Sequence, residues 1–162
     1  MPMTTYMELL TDPLSLILFM AVPVILAETV AITELHVLYT RRFSGPVRSL
    51  NRWAGLVAGF YFTGVFLYLL VSAVVPLTQS GGWRGPIDVV AVGFYLLGVV
   101  PLGGLALLEA GLIARGRGDM EKLRLHAVLV GIFLVTAHVA MIAGMMDPRL
   151  AGWSGPLPPH VH

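Results

Sequence analysis

The stretch "HVAMIAGMMDP", residues 138–148, sets an imidazole and three thioethers in an apolar segment that ends at an Asp-Pro pair. At about 100° per residue, His138, Met141 and Met145 fall within about 60° of helical arc, while Met146 points elsewhere. Imidazole and thioether together suit a soft ion such as Cu(I). The chain contains no cysteine, so thiolate metal sites, iron–sulfur clusters, disulfides and cysteine nucleophiles are excluded. Any soft ligand has to be methionine or histidine. A methionine stripe is also common core filling, and the rest of the chain has to decide between the two.

Ionisable groups inside the apolar segments form a second set. They are Glu28, Glu34 and His36 in the first segment, Glu109 in the third, and His126 and His138 in the fourth. Charge at membrane depth is costly, so each is a candidate site. Ordered by depth, Glu34, His36, Glu109 and His126 make one layer, and His138 with the methionines makes another. Glu28 lies between. Glu28 and His36, eight apart, share a broad face, whereas Glu34 points nearly opposite His36, toward another helix or a second subunit. Glu34, His36, Glu109 and His126 also lie within two turns of a span end, where they can pair with loop arginines without further function.

The elements that must position these groups follow from composition. Of 162 residues, 57% are hydrophobic and 12% charged, with a mean hydropathy of +0.84. A soluble domain carries about a quarter charged residues, so this is the composition of a membrane protein. Net charge is +1, which argues against nucleic acid as a partner. Apolar spans run over about 13–39, 53–75, 86–114 and 120–146, each longer than the about 20 residues that cross a bilayer as helix. Short connections predict an all-α, up-down four-helix bundle over 1–150. An extended tail, 151–162, follows. The first residues carry Glu8 and Asp12 and no basic residue, unlike a secretory leader, so the first span is expected to stay as a helix.

Of the ten basic residues, Arg41, Arg42, Arg48 and Arg52 lie in the first loop and Arg115, Arg117, Lys122 and Arg124 in the third. That bias predicts both loops in the cytoplasm and both termini outside. Seven of the eight methionines (Met1, Met3, Met7, Met20, Met141, Met145, Met146) then fall on the outer side, with only Met120 inside. His160 and His162 join them there, and with Glu34 and Met146 they form a secondary set of metal candidates. The primary metal set is His138, Met141, Met145, Glu28, His36, Glu109 and His126. Gly55 and Gly59 predict close helix packing, and Pro101 with Gly103 and Gly104 predicts a kink.

"MIAGM", Met141–Met145, resembles the MxxxM pair in the second membrane helix of the Ctr copper transporters. Those have three spans and a GxxxG in the last, whereas this chain has four and its GxxxG in the second, so only copper chemistry is implied. The whole chain resembles small, uncharacterised bacterial four-helix membrane proteins labelled permeases, which implies the bacterial inner membrane. The functional expectation is a copper-binding membrane protein for uptake or transfer. A first alternative is a b-type cytochrome, with haem held between His36 and His126 at equal depth. A second is a non-catalytic accessory subunit. Expected partners are the lipid bilayer and a homodimer or larger membrane complex. No zinc-hydrolase motif or nucleophile–base pair occurs, so enzyme activity is not expected.

Overall fold

The computed structural model describes residues 3–155. Met1, His160 and His162 lie outside the described residues. Among those described, the fold is all helical, without strands. A short helix α1 (Thr5–Leu9) precedes four long ones: α2 (Pro13–Thr40), α3 (Pro46–Ser80), α4 (Pro86–Glu109) and α5 (Asp119–Met145). Each of the four is long and apolar enough to cross a membrane.

Local chemistry sets the ends. Proline occupies the first turn of α2, α3 and α4, where its missing N–H costs nothing. Asp12 caps α2 by accepting from the Ser15 amide at 2.8 Å, and that bond holds its carboxyl below the usual range. Arg41 and Gly81 leave α2 and α3 in the left-handed conformation. The second apolar span was expected from residue 53 to 75, yet α3 starts at Pro46 and continues through Pro76 to Ser80. Pro46 is a good first helical residue. Pro76 is accommodated because a π-helical turn, Leu70–Val74, lies just before it and shifts the hydrogen-bond ladder. The third span was expected to reach residue 114 but stops at Glu109, because Gly111 and Ala114 adopt positive φ of 71° and 56°. Its kink is at Gly98. Pro101 has no N–H to offer the carbonyl of Leu97, and its ring crowds that carbonyl.

A second π-helical turn, Ile17–Ala21, lies in α2 just before Pro23. The Val22 amide bonds back to Ile17, which frees the Leu18 carbonyl, and Pro23 has no N–H for the Phe19 carbonyl. Two tyrosines fill these vacancies. The Tyr61 hydroxyl donates to Leu18 O at 2.8 Å and the Tyr95 hydroxyl donates to Phe19 O. In a hydrocarbon surround an orphaned carbonyl would cost several kcal/mol, so these bonds tie α2 to α3 and α4.

The core centres on Phe62, with ring centroids 5.2 Å from Tyr95 and 5.9 Å from Phe133. Helix α3 packs along α2 and α4, α5 packs along α4, and α2 meets α5 over a shorter seam. Outward faces carry exposed Ile32, Leu35, Phe60, Val71, Val135 and Ile142, while Glu34, Asn51, Asp88, Glu109 and His126 are buried. Apolar outside and polar inside is the pattern expected of helices surrounded by lipid, with Glu28, His36 and His138 as exposed exceptions.

Two ends of the bundle are distinct. At one, the Thr4 hydroxyl donates to Gly144 O at 2.7 Å. Asp88, fully buried, accepts from the Thr5 amide and hydroxyl, each at 2.6 Å, and from the Arg84 amide at 3.1 Å. Arg84 pairs with Glu8. Tyr6 packs directly against Gly144, where a Cβ would come within 2.5 Å of its ring, and burial pushes its hydroxyl up to about 12. The other end holds Glu34, Arg48, Glu109 and His126.

The Gly55–Gly59 pair packs within the chain. A Cβ on Gly59 would come within 2.4 Å of both Ala106 Cβ and the Leu102 carbonyl oxygen of α4. Gly59→Ala should therefore destabilise the protein by about 1–3 kcal/mol. Gly64, in the same helix, has nothing within 4 Å of its Cβ position, and Gly64→Ala should be neutral or slightly stabilising. Thermal unfolding of the two variants in detergent separates them; equal midpoints would contradict the packing described.

Candidate functional sites

The buried end is built around one ionisable side chain from each long helix. Pro46 starts α3, so Arg48 and Asn51 sit on its first turns, three residues apart and on one face. Arg48 reaches across to α4 and grips Glu109 with two parallel bonds, Nη1 to Oε1 at 2.9 Å and Nη2 to Oε2 at 3.1 Å. Arg48 also donates to Asn51 Oδ1 at 2.5 Å. Asn51 in turn donates to α2, to Val30 O at 3.1 Å and to the Thr33 hydroxyl at 3.0 Å.

His126 of α5 stands between two carboxylates. Its Nδ1 is 2.5 Å from Glu34 Oε2 of α2, and its Nε2 is 3.2 Å from Glu109 Oε1. The second approach lacks hydrogen-bond alignment, and Glu34 Oε1 has no partner either. Side-chain exposures are 1% for His126 and 4% for each glutamate. Beside this cluster lies a basin of about 630 Å³, lined by Arg48, Arg52, Glu109, Asp119 and Lys122, among others. Gly45, Ser49 and Asp119 on its wall are exposed.

The second place where candidates converge is a groove of about 250 Å³ along the α2–α5 seam. Its walls are apolar, from Phe19, Phe62, Tyr95 and Phe133, and they include Glu28, His138, Met20 and Met141. His138 Nδ1 is 2.6 Å from the Leu134 carbonyl oxygen. A carbonyl can only accept, so Nδ1 is the donor in this contact and Nε2 is left free of it.

The structure thus brings together Glu28, His138 and Met141 in one place, and Glu34, Glu109 and His126 in another. Met145, 71% exposed, and Met146 do not line the groove. His36 is exposed on α2, away from His126, whose two nitrogens both face carboxylates. Glu34 takes the inward place on α2 that His36 was expected to fill. Among the described residues no three His, Asp or Glu side chains are arranged to hold a metal by themselves.

The match to known sequences covers nearly all of this arrangement: the DUF6803 family model fits residues 1–159. The chain belongs to the DUF6803 family, a family of unknown function. No curated protein and no solved structure matches it. Both candidate sites of this DUF6803 chain lie within the matched span.

Sequence reasoning missed Arg48, Asn51 and Asp88. Arg48 was counted among the loop arginines able to pair with the inner layer, but was not singled out as the partner of Glu109. The signal was Gly45-Pro46, which starts a helix early enough to carry Arg48 and Asn51 onto it. Asp88, two residues into α4, reads as an ordinary first-turn acid, and nothing in the sequence shows that Thr5 folds back onto it.

Replacing Arg48 by methionine removes the counter-charge of a buried carboxylate. Arg48→Met should cost about 3 kcal/mol. Adding Glu109→Gln should recover most of that loss, since no uncompensated charge then remains. Chemical unfolding in detergent of the two variants checks this; a double variant no more stable than the single would show that Arg48 acts other than through Glu109.

Proposed function

We propose that the chain is an integral protein of the bacterial cytoplasmic membrane, an up-down bundle with both termini outside, that binds a soft metal ion, copper(I), in the α2–α5 groove for uptake or transfer. The arginine bias supports the orientation, since Arg41, Arg42, Arg48, Arg52, Arg115, Arg117, Lys122 and Arg124 all cluster at the end away from Thr4 and Gly144.

The observation that carries the metal reading is the state of His138. Its Nδ1 is tied to the Leu134 carbonyl, so Nε2 is the nitrogen available to a ligand. Histidines that bind metals are commonly fixed in this way through their other nitrogen. The same groove holds two thioethers, Met20 and Met141, and one carboxylate, Glu28. One imidazole with two thioethers is a donor set for a soft monovalent ion. Glu28 supplies a negative charge that balances the cation in an apolar surround. Of the residues singled out in the sequence, this reading keeps His138, Met141 and Glu28, adds Met20, and leaves Met145 outside.

The test is copper binding by the purified protein in detergent. Copper(I) is titrated under reducing conditions against a chromogenic copper(I) chelator, with elemental analysis of the loaded sample. One equivalent is expected. His138→Ala and Met141→Leu should each weaken retention at least about tenfold, and Met145→Leu should leave it unchanged. Absence of retained copper, or equal retention by all variants, would overturn the reading.

A further inference from the structure

We infer that Glu34, His126 and Glu109 form a proton-binding site, loaded from the basin at the arginine-rich end. The first argument is charge balance. The groups that face His126 are Glu34 from α2 and Glu109 from α4, and Arg48 from α3 reaches it through Glu109. With His126 neutral, the cluster holds one positive and two negative charges. One added proton makes it neutral. A net charge on groups buried as deeply as Glu34 and His126 is costly, so the neutral, proton-loaded form is the stable one.

The second argument is geometry. Glu109 lines the basin. His126 Nε2 is 3.2 Å from Glu109 Oε1, and Nδ1 is 2.5 Å from Glu34 Oε2. An imidazole between two carboxylates can take a proton at one nitrogen and release one from the other. A proton arriving at Nε2 from the Glu109 side therefore corresponds to one offered by Nδ1 to Glu34. The balance is one proton in from basin water and one held between His126 and Glu34. No electron and no other atom moves. Beyond this point Glu34 Oε1 is buried and has no partner, which leaves a free position for the proton on the far side of the relay.

This inference does not depend on what the groove binds. The experiment uses the full chain in lipid nanodiscs, with ring nitrogen-15 histidine and with His36, His138, His160 and His162 replaced by asparagine, so that only His126 reports. The expected spectrum at neutral pH shows both ring nitrogens protonated, with one proton lost reversibly as pH is raised. Glu34→Gln should remove the second ring proton at neutral pH. Attaching a bulky thiol reagent to Ser49→Cys, on the basin wall, should slow exchange of the ring protons with solvent; the chain has no other cysteine to interfere. A ring with one unprotonated nitrogen throughout the range from about pH 5 to 8 would overturn the inference, and that reading needs no glutamate variant. An unchanged spectrum in a folded Glu34→Gln, or exchange indifferent to the basin label, would overturn it as well.

Discussion

Arg48, Glu109, His126 and Glu34 are the point at which all four long helices must agree. Each comes from a different helix; Glu34, Glu109 and His126 are buried and Arg48 is partly buried. A charge placed among apolar helices is tolerable only when its partner is present and correctly aimed. The register of α3 against α4 is therefore tied to a two-bond grip between guanidinium and carboxylate, and the placement of α5 against α2 to the His126–Glu34 contact. Hydrophobic contact with lipid cannot supply this information, because a helix apolar on every side gains nothing by one rotation over another. The polar cluster fixes what the apolar surface leaves open.

Small residues and displaced carbonyls do the same work further along the bundle. Gly59 lets α3 touch the backbone of α4, which shortens the reach that Arg48 has to cover. The two π-helical turns lie beside Pro23 and Pro76. Each takes up a proline inside a long helix at the cost of carbonyls that lose their usual partners. In α2 these carbonyls accept from Tyr61 and Tyr95, so the defect becomes a lateral bond. Tyr95 is also a wall of the groove and a neighbour of Phe62. The shape of the groove is thus coupled to the irregular turn that opens it.

The sequence conveyed the helices and the ionisable groups well, because both rest on composition and on the high cost of burying polar groups. Three of the four apolar stretches begin within a residue of the observed helices. The layer containing Glu34, Glu109 and His126 was legible from depth alone. Which member of the α2 pair turns inward was not. Helical angles place Glu34 and His36 nearly opposite each other, and only the partner helix decides between them. Arg48 was read as topology and as one of several loop arginines able to pair with the inner layer, without a named partner. Pairing across helices depends on rotation and tilt, which the one-dimensional pattern does not contain. The same limit separated Met145 from Met141. Both lie on one narrow stripe, yet the seam between α2 and α5 covers only part of it.

The two candidate sites face different demands, and their separation has a physical consequence. The groove is apolar and offers soft donors, while the cluster is ionic and paired. Glu28 and Glu34 are six residues apart on α2, about 9 Å of helix rise. At that distance in a low-dielectric surround, a charge entering the groove is felt at Glu34 with little screening. A cation near Glu28 favours the negative form of the cluster, and so favours release of its proton toward the basin. The reverse holds when the groove empties. Were a cation held in the groove, its occupancy and the protonation of the cluster would be linked through the field. Two charges on four packed helices would couple in this way provided that each is held where its neighbours make it costly to stay unbalanced.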